Sequence, residues 1–372
     1  MTTLSEFVYF PDDENWATWM TRVIAMTNFG GADFGEIHRA VKGLKTGDYE
    51  GWHNRWRGMA EYVEGLARLA EQSNHDITAR KSYLRAYTYY RMSQLWLPTM
   101  SARALQMFDK MQECYSKWAE LSMPKVERVS IPFEGIEMLG WLIPSKTAKG
   151  KKSPIMIYCG PESQDCGVLT FTGPLEASER GVATLLVDGP GQGTTLRYKK
   201  IYGRPDFEKV FSAMVDYLEA RSDIDAKRLA VFGSDMGAYC AARAAALDKR
   251  VRALGNITAC YDVYTDIYLY GKENHREGLE AYLGTSDAEE VRKKLSDYNL
   301  KGIADKITCP LFVMHAEETA VYPVEPAYRL YREARGPKEI HIVNAGHTIM
   351  DRRMEAISQA MDWVSDQLTQ AE

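Results

Sequence analysis

Up to about Pro124, apolar residues recur at three- and four-residue steps, as in EGWHNRWRGMAEYVEGLARLAEQ and ITARKSYLRAYTYYRMSQLWLP. That period gathers them on one helix face, so the spacing predicts helices through residues 1–124. Ser73, Asn74 and Asp76 sit where a helix break with an N-cap falls. Pro98 and Pro124 mark helix ends, because proline lacks an N–H and its ring clashes with the preceding turn. After Pro124 the pattern changes. VERVSIPF and IEMLGWLIP flank Phe133, Glu134 and Gly135, a hairpin signal. Then come short, nearly continuous apolar runs: PIMIYCG, VATLLVDG, RLAVFGS, VRALGNIT, CPLFVMHA and EIHIVNAG. Each is followed by a stretch able to hold a helix or loop. Buried runs alternating with helices imply βαβ units and an α/β fold with a mostly parallel sheet. A polar, helix-like insertion occupies about 261–307.

The length of 372 residues fits two unequal domains, expected over 1–124 and 125–372. The formal net charge of -5 comes from 46 basic and 51 acidic residues, well mixed along the chain. With no basic stripe, nucleic acid is excluded as a partner. No apolar run reaches the ~18 residues that span a bilayer, so no membrane is expected. The first residues, MTTLSEFVYFPDDENW, lack a basic region followed by an apolar core. No signal peptide is read there, and a cytoplasmic location is expected. Six scattered cysteines with no CxxC pair read as reduced thiols. Neither H-x-H nor H-E-x-x-H occurs, so no metal is expected. DGPGQG lacks the G-K-[ST] ending of a phosphate loop, and no cofactor is expected. In this context Asp188 caps or braces its own loop. One number stands out: 22 Tyr and 8 Trp, many in the first third.

Chemistry is concentrated in one turn. After RLAVF come Gly233-Ser234-Asp235-Met236-Gly237 and then an Ala-rich helix. This strand–turn–helix context is that of a nucleophile elbow, G-x-Nuc-x-G. The glycines are needed because side chains at those positions would clash with the adjacent strand and helix. The central residue is held strained, with its side chain above the sheet. Here it is Asp235; Ser234 is one position early. The simpler reading is that Asp235 is an N-cap. The last strand, EIHIV, leads into Asn344-Ala345-Gly346-His347, the place for a general base. His315 and His341 lie at the end of a strand and within one, and read as packing. CPLFVMHA is followed by Glu317, Glu318 and Thr319, where an orienting acid is expected.

These motifs, with DGPGQG, the segment from His315 to Pro323, the Ala-Gly-His and the helical YLRAYTYYR, resemble the dihydroxypseudooxynicotine hydrolase group of α/β-hydrolases. The related fermentation–respiration switch proteins and fungal pigment chain-shortening hydrolases share the plan. The resemblance covers most of the chain. It implies a serine-type hydrolase that cleaves C–C bonds beside a carbonyl, or esters, with an N-terminal helical lid over a site between the domains. It also implies a small-molecule substrate and, since relatives are often dimers, a homodimer. The chain departs from that plan in three places. Asp235 replaces the nucleophilic serine. The usual acid falls on Thr319, which leaves Glu318 or Glu317 nearest, with Asp262 and Asp266 as other options. The loop after PIMIY carries Pro161, which has no N–H for an oxyanion hole; Glu162 N–H would join that of Met236 instead.

An aspartate is already ionised at neutral pH. It attacks an sp3 carbon bearing a leaving group, or an epoxide, and leaves an ester on Asp235 that His347 hydrolyses through water. Alternatively, Asp235 and His347 act as acid and base. They would then serve C–C hydrolysis, or decarboxylation, isomerisation or cyclisation of a keto or aromatic substrate. A degenerate binding or regulatory site is the third reading. Tyr87, Tyr261 and Tyr264 are candidates to line the substrate cavity, against the plainer reading that these rings pack. Arg197, after DGPGQG, is a candidate to hold a carboxylate, against a plain surface charge.

Overall fold

The computed structural model describes residues 9–148, 150–271, 273–317, 322–345, 349 and 352–369. The chain forms two compact units, Met1–Lys125 and Val126–Glu372.

The first unit holds α1 (Glu14–Ala25), α2 (Phe34–Val41), α3 (Tyr49–Gln72), α4 (Asp76–Gln94) and α5 (Ala102–Glu120). Asp13, Asp33, Asp48 and Ser101 cap their helices by accepting first-turn N–H groups. The break before α4 falls where the polar cluster puts it, but the cap differs. Asn74 turns left-handed at φ 57°, and His75 is the N-cap without a side-chain bond. Asp76 is the first helical residue, where its charge favours the helix dipole. The aromatic surplus builds this unit's core. The Trp16 and Trp52 rings meet edge-on with centroids 4.8 Å apart, and Trp52 Nε1 donates to Met92 O at 2.6 Å. Tyr90 donates to the buried Glu64, and Tyr89 to Glu36. These hydroxyls supply the partners that buried polar groups require.

The second unit is built on an eight-stranded sheet among the described residues, in the order β1-β2-β4-β3-β5-β6-β7-β8. The strands are β1 (Glu127–Phe133), β2 (Ile136–Ile143), β3 (Ser153–Cys159), β4 (Ala183–Val187), β5 (Ile224–Ser234), β6 (Ala253–Ile257), β7 (Leu311–Ala316) and β8 (Lys338–Val343). β1 and β2 form the expected hairpin, with Glu134 and Gly135 at φ 47° and 83°. Positive φ at both positions matches the twist of the flanking strands. β2 meets β4 antiparallel, and every later pairing is parallel. β3, β4 and β7 are buried at every residue, as a sheet covered on both faces requires. The covering helices are α6 (Pro174–Glu179), α7 (Gly193–Lys199), α8 (Phe207–Glu219), α9 (Met236–Leu247), α10 (Glu273–Leu283), α11 (Ala288–Leu295), α12 (Glu325–Glu333) and α13 (Arg353–Thr369). The expected insertion carries a π-helical turn, Tyr264–Leu269, then α10 and α11. From β3 the chain steps to one side, to β4, then returns to lay β5 on the other. The loops after β3 and β5 therefore diverge and leave a crevice at their carboxyl ends.

Candidate active site

Asp235 sits in that crevice, between the end of β5 and the first residue of α9. Its backbone has φ 57° and ψ -127°, a conformation that costs a non-glycine residue energy. It is the N-cap residue of α9 by position, but its side chain makes no capping bond to the helix. The flanking glycines explain how the turn closes. A Cβ at Gly233 would stand 2.1 Å from the Gly237 carbonyl oxygen, and one at Gly237 would stand 2.1 Å from that of Cys159. Helix, elbow and β3 are in backbone contact there, and only glycine fits. Met236, buried, opens α9, so its N–H has no acceptor within the helix. Ser234 is turned elsewhere: with Thr172 it hydrogen-bonds the buried Tyr158 hydroxyl. Burial pushes that hydroxyl's pKa up, and the charge of Asp235 adds to the effect.

The loop after β3 is clamped from behind by the segment after β4. Gln192 Nε2 donates to the carbonyls of Gly160 and Pro161, each at 2.9 Å. Gly193 N–H donates to Gln164 O, and Arg197 Nη1 to Ser163 O at 2.6 Å. Arg197 thus holds a backbone carbonyl of this loop. Glu162 is buried, and its side chain runs against Gly278 of α10, where a Cβ would lie 3.3 Å from Glu162 Cγ. Asp188 braces the base of the clamp, as expected of it. Its carboxylate accepts Cys166 N–H at 2.6 Å and Thr194 N–H at 2.8 Å. Full burial pushes the Asp188 carboxyl up to about 6 despite those two bonds. The part of Gln192 escaped the sequence reading. Its only signal there was an amide side chain inside a glycine-rich turn.

The other candidates are placed as follows. Tyr261 is buried; its hydroxyl donates to Glu333 at 2.6 Å, and the Arg329 guanidinium lies 3.8 Å over its ring. Tyr264 stacks on Tyr268 in the π-helical turn. Tyr87 is buried in the first unit, edge-on to Tyr115. Asp266 accepts the N–H groups of Tyr261 and Asp262, and Asp262 accepts from Thr265 N–H and Asn299. Both carboxylates brace the start of the insertion. Glu317 N–H donates to Val343 O. His315 is fully buried, with Nδ1 on Ala316 O and its pKa lowered by burial, as suits a packed neutral ring. His341 stacks on Phe312. His347 and Glu318 lie outside the described residues.

All six cysteines are free, and burial raises Cys159, Cys166, Cys240 and Cys260 well out of the reactive range. Among the described residues no group of His, Cys, Asp and Glu could hold a metal, and no helix is long and apolar enough to cross a membrane.

Comparison with known proteins agrees with this architecture. The model of the prolyl oligopeptidase family matches residues 174–371. The alpha/beta hydrolase gkaG of Penicillium citrinum is 30% identical over 342 residues, covering 79% of this chain and 79% of that one. The alpha/beta hydrolase ucsC of an Acremonium species is 33% identical over 265 residues, and the match takes in 66% of this chain and 54% of the relative. Among solved structures, 2,6-dihydroxy-pseudo-oxynicotine hydrolase superposes with a TM-score of 0.82 at 22% identity, covering 95% of this chain and 96% of the other. A strained elbow at the switch point of such a sheet, with relatives of this kind, gives the conclusion: the chain belongs to the prolyl oligopeptidase family of α/β-hydrolases and is a hydrolase.

Proposed function

We propose that this hydrolase acts on a small keto or aromatic organic substrate through an ester formed on Asp235. The carrying observation is the backbone of Asp235, held at φ 57° and ψ -127° in the turn between β5 and α9. An Asp235 carboxylate oxygen attacks an sp3 carbon of the substrate. The bond from that carbon to its leaving group breaks, and the leaving group departs with the electron pair. Water then attacks the ester carbonyl while His347 takes its proton, with Glu318 orienting the imidazole. The ester C–O bond breaks as His347 returns that proton to the departing oxygen, so alcohol leaves, and the acid loses its remaining proton to solvent to restore the carboxylate. Met236 N–H and Glu162 N–H would hold the charge that develops on the carbonyl oxygen in this second step. No cofactor is used.

Relatives named alpha/beta hydrolase from Penicillium citrinum and Acremonium support the hydrolytic reading. The test uses a His347→Ala variant, in which the first step proceeds and the second stalls. Offered an epoxide such as styrene oxide or a 1-chloroalkane, it should accumulate a covalent adduct on the peptide carrying Asp235. Mass spectrometry reads that adduct. Turnover by the native enzyme with no adduct on any such variant overturns the covalent route and leaves Asp235 and His347 as acid and base.

A further inference from the structure

The helical unit holds a pocket of its own, built from residues 9–12, 38 and 41–46. Its volume of about 600 Å³ suits a small organic molecule. Two turns in succession make one wall. The end of α2 runs into Val41-Lys42-Gly43-Leu44, closed by Leu44 N–H on Val41 O at 2.9 Å. Lys42 stands at φ -56° and ψ 116° and Gly43 at φ 73°, a type II turn, whose third residue needs the positive φ that glycine accepts. Val41 and Leu44 are buried, while Lys42 at the corner is exposed. The second turn, Lys45-Thr46-Gly47-Asp48, is closed by Asp48 N–H on Lys45 O, and Lys45 is exposed too. The run Lys-Gly-Leu-Lys-Thr-Gly thus sets two amines beside an apolar floor.

A second wall is the segment from Tyr9 to Asp12. Phe10 is left-handed at φ 59°, a strained state for a bulky residue, and its ring meets Trp16 edge-on with centroids 4.9 Å apart. Tyr9 Oη and His38 Nδ1 lie 3.1 Å apart. Whichever of the two donates, the pair keeps one donor to spare: Nε2–H of His38, or the Tyr9 hydroxyl. The charge of the lining is lopsided. Neither the Lys42 nor the Lys45 amine has an ion-pair or hydrogen-bond partner among the described residues. Arg55, whose Nη1 donates to Lys42 O at 2.6 Å, adds a third positive charge beside the first turn. Asp12 is the one acid in the lining. Apolar walls, a spare neutral donor and two unpaired amines are the complement of an anion with an apolar body. We infer that this pocket binds a small monocarboxylate, its charge held by Lys42 and Lys45 with the Tyr9–His38 pair and its apolar body laid on Phe10, Val41 and Leu44. None of these residues takes part in the proposed hydrolysis, so the two readings stand or fall separately.

Isothermal titration calorimetry of the full chain with octanoate and with 1-octanol tests this. Octanoate should bind, and 1-octanol, which has the same tail and no charge, should bind about tenfold more weakly. Raising the salt from about 0.05 to about 0.5 M should weaken octanoate severalfold and leave 1-octanol unchanged, because exposed charges are screened. The decisive arm is the double variant Lys42→Gln, Lys45→Gln. Both positions are exposed, and circular dichroism confirms that the helices are kept. Octanoate affinity should drop about tenfold, to the level of 1-octanol. Octanoate bound elsewhere, as in the crevice at Asp235, would be indifferent to that change. No binding of octanoate at about 5 mM, equal affinity for the two ligands, or unchanged octanoate affinity in the double variant overturns the inference.

Discussion

If the positive φ of Asp235 is strain held for chemistry, relieving it should make the protein more stable and inactive. Asp235→Gly is the cleanest perturbation. A non-glycine residue at φ 57° and ψ -127° carries a cost of about 1–3 kcal/mol. Glycine occupies that region without penalty but loses about 0.5–1 kcal/mol more backbone entropy on folding. The difference predicts a net gain of roughly 0.5–2 kcal/mol for Asp235→Gly. For a unit of this size that raises the melting temperature by a few degrees. Asp235→Asn is the control. It keeps the branched polar side chain and the strain, so its stability should stay within about 0.5 kcal/mol of the native chain. Both variants should lose turnover. Differential scanning calorimetry gives the two melting temperatures, and circular dichroism confirms the fold. A melting temperature that falls in Asp235→Gly while Asp235→Asn is unchanged would refute the strain argument.

Three other outcomes follow from the same geometry. Gly237→Ala places a methyl group 2.1 Å from the Cys159 carbonyl oxygen. Chemical denaturation should show a loss of about 2 kcal/mol or more, with turnover abolished. Asp188 has a folded-state pKa near 6, raised from its ordinary value of 3.8 by burial. The folded chain therefore holds that proton longer, and this group's contribution to stability falls as pH rises from about 4 to about 6 and is level above. Asp188→Asn should remove that part of the slope, read as the difference between the two pH–stability profiles. Gln192→Ala frees the carbonyls of Gly160 and Pro161 and loosens the loop after β3. It should lower kcat by about tenfold or more with little change in KM, because a misplaced oxyanion donor acts on the transition state.

Much of this fold is written in local patterns. The change from a period of three and four to short apolar runs near Pro124 marks the passage from helices to a parallel sheet. Glu134-Gly135 announces its hairpin because few other residue pairs accept two positive φ values. The elbow is legible for a like reason: Gly233 and Gly237 are demanded by backbone contacts that leave no room for a Cβ. The cap of α4 was less legible. Several polar residues compete at 73–76, and the left-handed turn at Asn74 decides which of them starts the helix. The clamp on the loop after β3 was hidden altogether. Gln192 reaches carbonyls 31 and 32 residues away, and such contacts have no local period. Tyr261 looked equally fit for a cavity wall or a packed core; its bond to Glu333 depends on a helix 72 residues further on.

The central claim is that oxygen passes through Asp235, and one single-turnover measurement in 18O-labelled water decides it. With enzyme in excess over substrate, mass spectrometry of the peptide spanning Gly233–Gly237 should show 18O in the Asp235 carboxylate, because water attacks the ester at the aspartyl carbon. Product released with label while Asp235 stays unlabelled would contradict the account.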